Sequence, residues 1–243
     1  MSSKERVLLQ GVPHYVVHKT RDGCPIFRTT VDFNYCERQL LELRREYEVE
    51  IHAWCLLPGE VHLLITPTGR ATEVSRFMKG LSCRTALFFK KIHGEESPWE
   101  SRFLSTPVQP SQWVLTIMRM IELLPVTRGL VQKINQYAHS SLRMRCEKTQ
   151  TSWLDDPEEY LRLGTNRDER RFAYREYLRL GNNPKEVDFI VNAVTRGLVT
   201  GSDRFIREVA EKYGERVYGR PRGRPRKRPS QDGEHPPGGD SEE

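Results

Sequence analysis

The chain has 243 residues, enough for one well-filled core or for a domain of about 150 residues with appendages. Its 39 Lys and Arg against 33 Asp and Glu give a formal charge of +6; the last fourteen residues hold five of the acids and no Lys or Arg, so the remainder stands at +11. A surplus of this size points to a polyanion partner, whereas no apolar run approaches the roughly 18 residues of a spanning helix and the polar N-terminus has no signal-peptide core, so the expectation is a cytoplasmic, nucleoid-associated chain with no membrane partner.

In chain order, Tyr15 to Lys19 alternates with β-propensity and ends in the polar turn Thr20-Arg21-Asp22-Gly23, which predicts a first strand. Asp32 to Tyr47 sets Cys36, Leu40, Leu43 and Tyr47 along one stripe of a charged helix, with Asp32 as its N-cap. Glu50 to Leu57 alternates Ile51, Ala53, Cys55 and Leu57 against His52, Trp54 and Leu56. Pro58-Gly59 then turns into Val61 to Thr66, and the pair reads as a hairpin. Between Thr72 and Ile92, Val74, Phe77, Met78, Leu81, Phe88 and Ile92 recur at helical spacing beside Arg76, Lys79, Arg84, Lys90 and Lys91, a basic flank for phosphate or simply a solvated face. A short strand is expected near Phe103, and a helix from Gln112 to Leu124 carrying Trp113, Ile117, Met120 and Leu124, stopped by Pro125.

This order predicts an α+β domain, an antiparallel sheet with helices packed mainly on one face, over residues 1–150. A charged helical extension follows over 151–215, read as a satellite with turns at Gly181-Asn182-Asn183-Pro184 and Gly201-Ser202-Asp203. Residues 216–243 are a low-complexity tail in which Arg220, Arg222, Arg224, Arg226, Lys227 and Arg228 precede the acidic end. Its repeated Gly-Arg-Pro-Arg unit is similar to an AT-hook, suited to a narrow A·T minor groove, or is a basic tether with salt-sensitive binding. The five cysteines Cys24, Cys36, Cys55, Cys83 and Cys146 have no Cys-x-x-Cys spacing and read as reduced thiols.

Strand alternation puts Glu60 and His62 on one face, where a divalent cation could sit between them. Alone, Glu-x-His is more often a surface or satisfied pair than a metal site. With Gly11-Val12-Pro13-His14-Tyr15, Pro25-Ile26-Phe27, His52-Ala53-Trp54-Cys55-Leu56-Leu57-Pro58, Ser75-Arg76-Phe77-Met78, Trp99-Glu100-Ser101-Arg102-Phe103 and Ile121-Glu122-Leu123, however, the chain resembles the REP-associated tyrosine transposases, single-strand transposases of the His-hydrophobic-His class. The resemblance implies a ferredoxin- or RRM-like core. It also implies a tyrosine on the last core helix that attacks a phosphodiester, a cation held by two histidines, and a polar ligand one turn beyond the tyrosine. Those four positions fall on Glu60, His62, Met120 and Leu124.

Glutamate still suits Mg²⁺ or Mn²⁺, so residual binding of such an ion at Glu60 and His62 is conceivable. A thioether has no proton to surrender and cannot form a phosphoester, and Leu124 supplies no lone pair. Tyr137 is the nearest tyrosine downstream, but it lies beyond Pro125 and Gly129, off the relevant helix. The expectation is therefore no catalytic residue of the family type and no required cofactor. The expected function is a DNA-binding protein for hairpin or single-stranded DNA, with A·T-rich duplex a further target for the tail. Lys19, Arg21, Arg76, Lys79, Arg84, Lys90, Lys91 and Arg102 are its candidate contacts; Tyr15, Trp54, Trp99 and Phe103 either stack on bases or fill the core. An active metal-dependent nuclease or transposase, and an RNA-binding or interaction module, are the competing readings.

Overall fold

The computed structural model describes residues 6–100, 102–146 and 152–214. Four strands, His14–Lys19 (β1), Val49–Leu57 (β2), Glu60–Pro67 (β3) and Leu104–Pro107 (β4), form one antiparallel sheet in the order β2-β3-β1-β4. Two helices, Thr30–Glu46 (α1) and Glu73–His93 (α2), cross over between β1 and β2 and between β3 and β4. This is the split βαβ arrangement of a ferredoxin-like domain. It carries an added helix, Val114–Thr127 (α3), and then Leu142–Cys146 (α4), Glu158–Leu161 (α5), Arg167–Arg179 (α6), Pro184–Arg196 (α7) and Asp203–Tyr213 (α8).

Alternation sorts the strand residues into two cores. Val16, Val61, Leu63 and Ile65 face α1 and α2 with Leu40, Leu43, Phe77 and Leu81. Tyr15, Val17 and Leu64 face α3 with Ile117, Met120 and Ile121. The sheet is thus α+β and antiparallel as expected, with α1 and α2 together on one face. The second face is covered as well, because α3 is apolar enough to bury a broad stripe and because Tyr160, Tyr174, Leu178, Ile190 and Val194 of the later helices join the same core. On that side α7 packs against β4 and β1, and α6 packs against α3 and α4.

Four local expectations change. A β-bulge between Ile51 and Ala53 flips the strand's parity at His52, so Ile51 sides with Trp54, away from Ala53, Cys55 and Leu57. His52 is held there by Thr66 Oγ1 at 2.8 Å and the Asp155 carbonyl at 2.9 Å. Asp32 lies in the first turn of α1 and is not its N-cap. Thr29 takes that place, and the Asp32 carboxylate accepts the Thr29 and Arg28 backbone N–H groups at 2.7 and 2.9 Å. The buried stripe of α2 ends through Thr85 and Phe89, while Ile92 is exposed and Phe88 stacks on Tyr35. Pro125 sits inside the last turn of α3, which runs on to Thr127. A proline removes the hydrogen bond its own nitrogen would donate and its ring crowds the carbonyl four residues back, here Ile121; only two helical residues follow Pro125 before the helix ends at Thr127. The extra turn brings Arg128 to the sheet.

Candidate functional site

Residues of β1 and β3 that face α3 meet in register: Lys19 lies opposite Glu60 and Val17 opposite His62. A directly opposed pair on one face is within side-chain reach, and Lys19 Nζ is 3.3 Å from Glu60 Oε1. Glu60 Oε2 is 2.8 Å from His62 Nε2, and His62 Nδ1 is 2.8 Å from the Tyr15 hydroxyl. A carboxylate only accepts, so the network assigns Nε2–H as the donor to Glu60 and Nδ1 as the acceptor from Tyr15. Arg128 then closes on Glu60 from beyond the end of α3, Nη2 to Oε2 at 3.1 Å.

The charges follow from these contacts. The hydrogen bond from His62 is the largest cause that brings the Glu60 carboxyl down to about 2, against the opposing effect of partial burial and with help from Lys19 and Arg128. His62 is buried, and burial lowers its pKa despite the neighbouring carboxylate, so the ring is neutral at pH 7. Burial, reinforced by Glu60, holds the Tyr15 phenol protonated. Tyr15 thus locks the ring of His62 and is poorly disposed to act as a phenolate.

Above this network lies α3. Met120 is buried over Tyr15 and His62, and Leu124 follows one turn later on the same side, both lining a cavity of about 760 Å³. Helix α7 forms its other wall through Val187, Val191 and Val194. A second cavity of about 400 Å³ lies over the turns Thr20–Gly23 and Pro58–Gly59, and Lys19 and Arg128 line both.

These residues do not fit a divalent cation. Both His62 nitrogens are engaged, the Glu60 oxygens already face an ammonium and a guanidinium, and Leu124 offers no third donor. Among the described residues no three His, Cys, Asp or Glu side chains converge as a metal site would require. The positive charges of Lys19 and Arg128 stand where an ion would have to neutralise the carboxylate.

The structure thus brings together Lys19, Glu60, His62, Met120 and Leu124, and adds Tyr15 and Arg128. The sequence signal for Arg128 was a basic residue directly behind the helix, masked by reading Pro125 as the stop. The basic residues of α2 are not part of this site, since α2 covers the opposite face. Arg84 binds Gln39, Glu42 and Glu46 and fastens α2 to α1; Arg76 pairs with Glu73 over the Tyr47 ring; Lys90 pairs with Glu96. Lys79, Lys91, Arg21 and Arg102 are exposed. Tyr15, Trp54 and Phe103 are core residues, and Trp99 stacks on His18 at 4.4 Å. The Tyr137 hydroxyl donates to the Leu56 carbonyl at 2.6 Å, and burial raises its pKa. Arg220, Arg222, Arg224, Arg226, Lys227 and Arg228 lie outside the described residues.

No family model and no curated protein matches the chain. Among solved structures, that of a REP-associated tyrosine transposase bound to a REP hairpin superposes with a TM-score of 0.53 at 19% identity, covering 64% of this chain and 93% of that one. A proposed transposase from Deinococcus radiodurans matches at a TM-score of 0.34 and 18% identity, over 56% of this chain and 99% of that one, too distant to support an argument. The likeness is one of fold: over the matched part, the chain shares the α+β fold of that REP-associated tyrosine transposase.

Proposed function

We propose that the chain is a transposase-derived DNA-binding protein that recognises hairpin or palindromic single-stranded DNA and does not cut it by the tyrosine mechanism. The observation that carries this reading is Met120 on α3, facing the Glu60–His62 pair where the resemblance calls for a phenol. Binding needs no nucleophile. It is supported by the shared fold, by the surplus of positive charge, and by Lys19 and Arg128 at the mouth of the site. The tail arginines add affinity for duplex, strongest where it is A·T-rich. No helix among the described residues is long and apolar enough to cross a membrane.

Fluorescence anisotropy with a DNA hairpin carrying unpaired flanks, its blunt duplex and the RNA hairpin of the same sequence tests the reading. The DNA hairpin is expected to bind best. Lys19→Ala and Arg128→Ala are each expected to weaken binding and to flatten the slope of log affinity against log salt by about 1. EDTA is expected to change nothing, because Lys19 and Arg128 do the work of an ion. Preference for RNA, or a salt slope untouched by either variant, would contradict the proposal.

A further inference from the structure

We infer that the cavity between α3 and α7 receives the base of one unpaired nucleotide, with that nucleotide's phosphate held between Lys19 and Arg128. The inference rests on the DNA-binding reading and gives that site its ligand: a single extruded nucleotide beside the hairpin.

Three observations carry it. The cavity, about 760 Å³, falls within the range of ligand sites and exceeds what one base requires. Its walls carry an aliphatic stretch, Met120, Leu124, Val187 and Val191 among them, beside polar residues such as Asp188 and Thr195, and a base presents two desolvatable faces to such a stretch. The Asn182 Oδ1 atom, on a residue of the same lining, is shielded from solvent and has no hydrogen-bond partner. A buried acceptor of this kind is costly until a donor reaches it. The amino and ring N–H groups of a base are such donors; an aliphatic tail has none.

Charge places the phosphate. Lys19 and Arg128 bring two positive charges against the single carboxylate of Glu60, while His62 is neutral. Within that trio one positive charge is left over, which is what one phosphodiester neutralises, while Asp188 lies on the α7 wall and Asp22 and Glu100 line the smaller cavity. Both cations are partly exposed, with side-chain exposures of 39% and 49%, and both also line the smaller cavity over Thr20–Gly23. A phosphate between them therefore has room for its base on the α7 side and for the continuing strand on the other.

The test uses the full chain and short hairpins with homopolymeric unpaired flanks, one per base type, each compared with the same hairpin made abasic through the flank. Removing the bases of the preferred flank is expected to weaken binding about tenfold. Val191→Trp adds bulk at an exposed wall position and is expected to lower affinity for the base-bearing flank to that of the abasic one. Val191→Ala, which keeps the cavity open, is expected to preserve the difference between the two flanks. Equal affinity for abasic and base-bearing flanks, with hairpin binding intact, would overturn this inference and leave the DNA-binding reading standing; no hairpin binding at all would overturn both. Native mass spectrometry of the wild-type chain completes it: a retained amphiphile, or a dimer dissociated by Val191→Trp, would give the cavity to another occupant and overturn the inference.

Discussion

Acidification from pH 7 to pH 4 is expected to remove several kcal/mol of folding stability. His14, His18, His52 and His62 are all buried, and in each burial is the largest cause of a lowered pKa. His14 is the extreme case, brought down to about 4 from 6.5. Its Nδ1–H donates to the Val12 carbonyl at 2.7 Å, and its Nε2 accepts the Leu9 N–H at 3.1 Å, so a second ring proton would point at a donor. Between those two pKa values the unfolded chain binds protons that the folded chain refuses. Stability is thus full above pH 6.5 and is lost as pH falls through 4, by about 3 kcal/mol for His14 alone. The other three add to it in the same direction, and Glu60 continues the loss from pH 4.5 toward its own value of about 2. Glu122, raised by burial, works the other way. Domains are stable by about 5–15 kcal/mol in all, so urea midpoints measured at intervals from pH 7 to pH 4 should fall steeply. His14→Gln should flatten that slope. A stability independent of pH across this interval would contradict the assignment.

Arg145→Met is expected to cost about 3–5 kcal/mol, the usual result of leaving a buried charge without its partner. Glu122, fully buried on α3, accepts hydroxyl hydrogen bonds from Ser141 and Tyr174, each at 2.7 Å. Its countercharge is Arg145, 3.8 Å away, a charge contact and not a hydrogen bond. The same guanidinium reaches Asp156 and the His52 carbonyl and lies 4.4 Å from the Tyr160 ring centre. It therefore ties α3, the β2 bulge and the C-terminal helices together, and through α3 it sets where Met120 and Leu124 stand. Glu122→Gln combined with Arg145→Met should recover part of the loss, because the orphaned charge is gone. Strictly additive single losses in urea unfolding, or a loss under about 1 kcal/mol for Arg145→Met, would show that the pair is not coupled.

Much of the fold was legible because its strands and helices obey periods of 2 and 3.6 without conflict. Val61, Leu63 and Ile65 against Glu60, His62 and Leu64 announce a strand with two different faces. The bulge at His52 was not legible, since what holds it, Asp155 and Thr66, lies elsewhere in the chain. The convergence of Glu60 with His62 followed from alternation, and the apolar patch of Met120 and Leu124 from helical spacing. What periodicity hides is the company those residues keep. Nothing local says that Tyr15 reaches the far nitrogen of His62, that Arg128 folds back onto Glu60, or that Arg84 is spent on Glu42 and Glu46 across to α1. These are tertiary pairings between elements many residues apart.

The proposal that this chain binds without cutting is tested most directly by a single-turnover reaction. Wild-type protein is mixed with a labelled hairpin bearing single-stranded flanks, in Mg²⁺ or Mn²⁺, and the products are resolved on native and denaturing gels in parallel. The expected result is a retarded complex on the native gel and an intact oligonucleotide, free of protein, on the denaturing one. A protein–DNA adduct that survives denaturation, or strand scission that disappears in His62→Ala, would contradict it.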